Sequence, residues 1–176
     1  MRVLLALCAF AMLSLPAAAQ SPADTITLET NKGNVTIQLR PDLAPKHAER
    51  LKQLTKEGFY DGVPFHRVIA GFMAQTGDPT GTGTGGSKLP DLPAEFTTKE
   101  KFVRGTVGMA RAQSPNSANS QFFIMFAPAP FLDGKYTIIG NVTAGMDVVD
   151  KIKKGPEAAN GQVDGPDKVV KARLGS

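Results

Sequence analysis

Apolar and polar residues alternate along several short segments of the chain, which is the pattern of β-strands with one buried face. The first two segments, "TITLET" (25–30) and "NVTIQL" (34–39), flank Asn31-Lys32-Gly33, so they predict a β-hairpin. The later segments are rich in β-branched and aromatic residues and are separated by Gly, Pro, Asn or Ser. They are "VPFHRVI", "FMAQTG", "GTVGMAR", "QFFIMF", "YTIIGNV" and, at residues 167–174, "DKVVKARL".

Two other segments have helical spacing. In "LAPKHAERLKQLTKEG", apolar residues recur three or four positions apart, Pro45 suits the first turn and Gly58 suits the end. "TAGMDVVDKIKKG" (143–155) predicts a second, short helix with Thr143 as its cap and Met146, Val149 and Ile152 as its buried stripe. About eight strands and two helices predict a mainly β fold. We expect a closed eight-stranded antiparallel β-barrel capped by two α-helices, because closure leaves no strand edge exposed.

Residues 1–19 have the three parts of a secretory signal peptide: a positive start at Arg2, an apolar run and the triplet Ala17-Ala18-Ala19. We expect cleavage after Ala19, a single domain over residues 20–176, and a periplasmic or secreted location. The apolar run is shorter than the about 20 residues that a membrane span needs, so a retained anchor is the weaker alternative. Cys8 is the only cysteine, so the mature domain has no disulfide.

Composition argues against several functional classes. Loss of Arg2 lowers the formal net charge only from +4 to +3, and the charges are mixed in sign, so we expect no nucleic-acid partner. Two distant histidines and no mature cysteine argue against a metal site. Gly81, Gly83 and Gly86 match a dinucleotide-binding pattern, but they lead into prolines instead of a helix, so they predict a flexible surface loop and no cofactor.

The segment "FHRVIAGFMAQTGD" (65–78) raises a different question, because it places Arg67 in an otherwise apolar strand. Arginine is rarely buried without a partner, so the alternatives are an exposed position or a functional one. His66 should point to the opposite face from Arg67, since neighbouring strand residues alternate. The other histidine, His47, lies on the polar part of the first helix and is expected to be solvated. Three further segments, "MARAQ" (109–113), "SQFFI" (120–124) and "FLDGKY" (131–136), are each consistent with barrel core.

Taken in this order and spacing, "FHRVIAGFMAQTGD", "GTVGMARA", "NSQFFI" and "FLDGKY" resemble the cyclophilins, the peptidyl-prolyl cis-trans isomerases. The resemblance extends from about Ile26 to Leu174 and implies an eight-stranded barrel with two helices. It implies that Arg67 is the catalytic arginine and that Gln75 holds it. The segment 65–78 is then two short strands bent at Ala70-Gly71, and the bend brings Gln75 back towards Arg67. It also implies a proline pocket lined by Phe72, Met73, Phe123 and Leu132, with Phe131 and Tyr136 at its rim, and peptide contacts from Gln121 and the backbone of Arg111, flanked by Ala110 and Ala112.

The short loops and the predicted signal peptide resemble those of the secreted or periplasmic bacterial members of the family. The resemblance therefore implies a monomer without metal or cofactor that acts on proline-containing polypeptides and assists the folding of exported proteins. A non-catalytic binding module or chaperone for such peptides is one alternative. Another is a hydrolase with His66 as its base, although no serine lies in a nucleophile elbow.

The sequence departs from the best-known members at four positions. Phe131 stands where many have Trp, Tyr136 where many have His, Arg111 in place of Asn, and Ala70 in place of Pro. We expect the change at Ala70 to loosen the turn before Gly71. Phe131 lacks the indole N–H donor, so we expect cyclosporin to bind more weakly than it binds Trp-containing members. Arg111 adds a cation near the site, so we expect a preference for acidic residues beside the substrate proline.

Overall fold

The computed structural model describes residues 22–175. The predicted signal peptide therefore lies outside the described residues. The strands are β1 (Thr25–Thr30), β2 (Gly33–Leu39), β3 (Arg67–Ile69), β4 (Met73–Thr76), β5 (Thr106–Met109), β6 (Phe122–Met125), β7 (Ile138–Ala144) and β8 (Val169–Leu174). The α-helices are α1 (Pro45–Lys56) and α2 (Met146–Lys151), and short 3-10 turns occur at Pro22–Asp24, Pro130–Leu132 and Glu157–Ala159. Within this part of the chain, no helix is both long enough and apolar enough to cross a membrane.

The eight strands form one antiparallel sheet in the order β3-β4-β6-β5-β7-β2-β1-β8. This confirms the mainly β class, but "closed" is too strong, because β3 and β8 do not form a ladder with each other. The chain just before β3 bridges the gap instead. The N–H of Gly62 donates to Val169 at 2.7 Å, and the N–H of Phe65 donates to Asp167 at 2.9 Å. The sheet is therefore curled, with its two edges joined by a few irregular hydrogen bonds.

The curled sheet is buried on its inner face throughout and on part of its outer face. In β1 the alternation puts Ile26 and Leu28 inside, as the sequence predicts. In β6 all four residues are buried, because Phe122 and Ile124 join the main core while Phe123 and Met125 join a second apolar cluster. This second cluster is where a pocket forms.

Helix α1 begins at Pro45 and ends before Gly58, whose φ of +69° suits glycine, so both predicted boundaries are confirmed. The prediction that His47 is solvated is wrong, because His47 is fully buried. Its Nδ1 lies 2.6 Å from Oε2 of Glu95, whose carboxylate also accepts the N–H groups of Lys46 and His47. Ala44 offers no side-chain cap, so a distant glutamate satisfies the start of the helix. Helical spacing alone does not reveal such a partner.

The helix α2 is shorter than predicted. Thr143 belongs to β7, and the residue before the helix is Gly145, with φ +89° and no side-chain cap, so the prediction that Thr143 caps the helix is wrong. A Cβ atom at Gly145 would lie 2.2 Å from the carbonyl oxygen of Asn34, so only glycine lets the chain pass β2 here. The buried side is made by Val148, Val149 and Ile152, with Met146 only partly buried.

Stability should decline as the pH falls below about 6.5. Burial lowers the pKa of both His47 and His66 from their ordinary 6.5. At His47, Glu95 opposes this shift, and Arg50 and Lys46 reinforce it. At His66, Asp78 opposes the shift. Because the folded pKa lies below the unfolded pKa, the contribution of the neutral histidines to stability is fully present above the unfolded pKa and is lost as the pH falls. Thermal unfolding measured from pH 7.5 to 5 tests this expectation. In the variant His47→Gln the melting temperature should vary less over that range, and an unchanged slope would contradict the assignment.

Candidate active site

The predicted bend in residues 65–78 is confirmed, and it brings Arg67 and Gln75 together. β3 and β4 form a tight hairpin whose turn contains Gly71 at φ +70°, a conformation that favours glycine. Arg67 and Gln75 face each other in register across the hairpin. Nη1 of Arg67 donates a hydrogen bond to Oε1 of Gln75 at 3.3 Å.

A cavity of about 790 Å³ opens beside Arg67. Its floor is apolar and deeply buried: Met73, Phe123 and Leu132 are 1%, 5% and 7% exposed. Phe131 is 63% exposed and forms the rim, with its ring centroid 5.6 Å from that of Phe72. The floor therefore offers a dry apolar surface a few residues wide, and its opening faces solvent.

The shape of the floor depends on Gly108 in β5, which lies opposite Phe123. A Cβ atom at Gly108 would lie 2.6 Å from the ring of Phe123 and 2.6 Å from that of Phe102. These two rings stack with their centroids 5.7 Å apart. The missing side chain at Gly108 therefore lets the aromatic floor lie flat against the sheet.

Arg67 is half-buried, and its bonds go to neutral acceptors. Nε donates to the backbone oxygen of Asn160 at 3.0 Å, and Nη2 donates to Oδ1 of Asn160 at 2.9 Å. Among residues 22–175, Arg67 forms no ion pair with a carboxylate, and burial lowers the pKa of its guanidinium. Arginine stays protonated even so. The pocket therefore contains a fixed positive charge with hydrogen-bond donors that no anion neutralises.

Behind Gln75, the hydrogen-bond network continues into the glycine-rich loop. Nε2 of Gln75 donates to Oε1 of Gln121 at 2.8 Å. Nε2 of Gln121 in turn donates to the carbonyl oxygens of Gly83 and Gly85, at 3.0 and 2.9 Å. The side-chain amide of Gln121 has only two N–H groups, so both are used.

The glycine-rich loop is organised around Asp78, which is fully buried. Its Oδ1 accepts the N–H and hydroxyl of Thr80, and its Oδ2 accepts the N–H groups of Gly83 and Gly85 at 2.7 and 3.0 Å. Burial disfavours the charged carboxylate, but these hydrogen bonds outweigh it and lower the pKa of Asp78 to about 2. The expectation of a flexible loop therefore missed its buried anchor, although the loop precedes no helix, as predicted.

A second cation lies at the rim. The guanidinium carbon of Arg111 lies 4.4 Å from the ring centroid of Tyr136, a cation–π contact. Arg111 also donates to the carbonyl oxygens of Lys135, Ala112 and Gln113. Lys135 lines the same cavity. This rim is therefore positively charged and held by backbone contacts.

The structure brings most of the predicted site residues into one cavity. The lining contains Arg67, Phe72, Met73, Gln75, Ala110, Arg111, Phe123, Phe131, Leu132 and Tyr136. Ala112 is exposed beside the cavity, and Gln121 lies behind Gln75, so neither belongs to the lining. Sequence reasoning missed the contribution of the loop containing Ala159, Asn160 and Gln162. The dipeptide Asn160-Gly161 is a turn signal, but nothing local indicates that the turn meets Arg67.

His66 also belongs to the cavity lining, although strand alternation predicted that it faces the opposite side from Arg67. It is 5% exposed, and neither ring nitrogen has a hydrogen-bond partner among the described residues. A base in a hydrolase needs a nucleophile within hydrogen-bond reach, which His66 lacks in this part of the chain. Across residues 22–175, no three His, Cys, Asp or Glu side chains are grouped so that they could hold a metal ion.

Comparisons with known proteins agree with this geometry. Residues 25–174 match the family described as "Cyclophilin type peptidyl-prolyl cis-trans isomerase/CLD". A protein of Brucella suis biovar 1, described as "Probable peptidyl-prolyl cis-trans isomerase", is 57% identical over 188 aligned positions that cover 98% of this chain and 95% of the relative.

Two solved structures are similar in fold. The cyclophilin AquaCyp293 from Hirschia baltica has a TM-score of 0.78 at 29% identity, covering 88% of this chain and 74% of that one. A Cryptosporidium parvum cyclophilin-type isomerase, solved in the presence of the dipeptide Ala-Pro, has a TM-score of 0.78 at 30% identity. The match covers 86% of this chain and 99% of that one.

Proposed function

This chain belongs to the cyclophilin-type peptidyl-prolyl cis-trans isomerases, and we propose that it catalyses rotation about X-Pro bonds in the cavity beside Arg67. The observation that carries this assignment of the site is the uncompensated guanidinium of Arg67 at the edge of a dry apolar floor. A proline ring fits such a floor, and the relative solved with Ala-Pro supports a prolyl ligand.

The reaction makes and breaks no covalent bond. Rotation about a peptide bond costs about 18–20 kcal/mol because it disrupts amide resonance. Unaided X-Pro bonds isomerise in tens of seconds. Shortening this to milliseconds is about a 10⁴-fold acceleration, or roughly 5.5 kcal/mol. The site therefore needs groups that favour the twisted amide over the planar one, and it needs neither a nucleophile nor a proton shuttle.

Arg67 is suited to that task. When the amide twists, its resonance is lost and the prolyl nitrogen regains a lone pair. An N–H of Arg67 can donate to this lone pair, which the planar amide does not offer. Since the donor is already held by Gln75 and Asn160, it does not reorganise during the rotation. The interaction is therefore stronger in the transition state than in the ground state, which is the requirement for catalysis.

The apolar floor supplies the second part of the mechanism. Met73, Phe123 and Leu132 hold the proline ring while the preceding carbonyl turns in the open part of the cavity. Phe72 and Tyr136 complete the wall. A ring held still converts free tumbling of the peptide into rotation about one bond.

Exchange spectroscopy with an Ala-Pro peptide tests the assignment of the site. We expect the protein to accelerate cis-trans exchange, and the peptide to shift NMR signals of Arg67, Gln75 and Phe123 while leaving α2 unchanged. The rate should vary little between about pH 6 and 9, because arginine does not titrate there. Acceleration with shifts confined to another surface would contradict the assignment. A break below pH 6.5, in the direction in which burial moves the pKa of His66, would favour His66 as a base.

The rim cations support a preference for acidic residues beside the substrate proline. Arg111 and Lys135 lie at the opening, and Arg111 forms no ion pair within residues 22–175. An Ala-Pro peptide with a neighbouring Glu should have a several-fold higher kcat/KM than its Lys counterpart, and the difference should shrink in high salt. The variant Arg111→Gln should also reduce the difference in kcat/KM between the two peptides. Equal values for both peptides would contradict this preference.

The physiological role follows from the predicted signal peptide. We propose that the mature chain is a monomer in the periplasm or outside the cell and assists the folding of exported proteins containing proline. Refolding of an exported protein limited by X-Pro isomerisation should be faster in its presence.

Cyclosporin should bind with a dissociation constant above the nanomolar range, because Phe131 offers no N–H donor.

A further inference from the structure

We propose that Asn160 is a positioning residue for catalysis, which orients the guanidinium of Arg67 from the opposite side to Gln75. This proposal rests on the role of Arg67 described above. Asn160 contributes two oxygens from one residue: its backbone carbonyl accepts Nε–H at 3.0 Å, and its side-chain Oδ1 accepts Nη2–H at 2.9 Å. Two bonds to adjacent nitrogens fix the plane of the guanidinium as well as its position.

The loop that carries Asn160 is fixed against β3 by backbone hydrogen bonds on both sides of Arg67. The N–H of Val68 donates to Gly161 at 2.7 Å, and the N–H of Val163 donates to His66 at 3.0 Å. A Cβ atom at Gly161 would lie 2.4 Å from Cγ1 of Ile69, so the loop lies directly on the strand. Asn160 is therefore held opposite Arg67 by the backbone as well as by its own side chain.

The conformation of Asn160 explains why this residue type suits the position. Its φ is +51°, and within residues 22–175 it is the only residue other than glycine with a positive φ. Asparagine tolerates this left-handed region better than most residues, and glycine tolerates it without a side chain. Of asparagine and glycine, asparagine alone combines the left-handed backbone conformation with a neutral side-chain acceptor.

The neutrality of that acceptor matters for the reaction. A carboxylate in the same place would hold Arg67 as firmly, but it would offset the charge that the prolyl nitrogen meets. The bonds to Asn160 and Gln75 use three of the five guanidinium N–H donors. One N–H on each terminal nitrogen is left to face a substrate.

The test is a double-mutant cycle on the rate of Ala-Pro isomerisation. Asn160→Gly keeps the left-handed turn and the backbone acceptor and removes the side chain that carries Oδ1. We expect it to lower kcat about fivefold with KM changed less than twofold, because the lost bond orients the donor in the transition state. In the Arg67→Ala background the same substitution should change kcat by less than twofold, because there is no guanidinium left to orient.

Ala158→Gly, in the same exposed turn, is the matched control for added backbone flexibility and should leave kcat within twofold. Exchange of the Arg67 Nη2–H protons, followed by ¹⁵N NMR, should be faster in Asn160→Gly, whereas exchange of Nε–H, which keeps its backbone acceptor, should change less. An equal loss in both backgrounds, an equal loss in Ala158→Gly, or no loss at all would overturn the proposal. If Arg67→Ala itself matches wild type, the role of Arg67 fails, and that result is visible before Asn160 is changed.

Discussion

Replacing Arg67 by alanine is expected to lower kcat/KM for Ala-Pro isomerisation by about 10²–10³-fold, the usual loss when a preorganised donor is removed. The apolar floor of Met73, Phe123 and Leu132 remains, so the peptide should still bind and KM should change little. The effect should therefore be mainly on kcat, since the bond to the prolyl nitrogen exists only in the twisted amide.

Two further variants sharpen this result. Arg67→Lys keeps the charge but loses the planar fork that Gln75 and Asn160 hold, so most of the activity should still be lost. Arg173→Ala removes an arginine from β8 that pairs with Glu29, and its rate should equal wild type. Rates for Arg67→Ala within twofold of wild type, in a folded protein, would refute the mechanism. They would also favour a non-catalytic peptide-binding module, which needs only the pocket.

Sequence reasoning predicted the parts of the structure that depend on local periodicity. Alternation located the strands, Gly71 marked the bend, and the bend placed Gln75 opposite Arg67. The edge of the sheet was less predictable, because the bridge between residues 62–65 and 167–169 has no ladder and therefore no alternating pattern. The cavity floor was found through the resemblance, since a buried run such as β6 has the same pattern whether or not one face lines a pocket.

The missed residues share a different property: their partners are far away in sequence. Asn160 meets Arg67 across 93 positions, and Glu95 meets His47 across 48. Such contacts depend on how loops dock once the sheet has formed, and single-residue patterns carry no information about docking. The glycine-rich loop was missed for another reason. The donors to its anchor Asp78 lie within seven positions, but the spacing of glycines and prolines does not show that this carboxylate is buried.

The second large effect is expected at Asp78. Asp78→Asn replaces one carboxylate oxygen with an NH₂ group, which then faces N–H donors from Thr80 or from Gly83 and Gly85. Losing charged hydrogen bonds to a buried acceptor should lower the free energy of unfolding by about 2–3 kcal/mol. The carbonyls of Gly83 and Gly85 also hold Gln121, which holds Gln75, so kcat should fall a few-fold as well.

The pH dependence of stability separates this explanation from a general loss of packing. The pKa of Asp78 is lowered from 3.8 to about 2 in the folded chain, so its contribution is complete above about pH 4 and is lost as the pH falls towards 2. Urea unfolding at pH 7 and pH 3 should therefore show a large difference between wild type and Asp78→Asn at pH 7 and a smaller one at pH 3. The exposed Asp164→Asn is the matched control and should unfold like wild type at both. If the difference between wild type and Asp78→Asn is the same at both pH values, the ionised carboxylate is not what holds the loop.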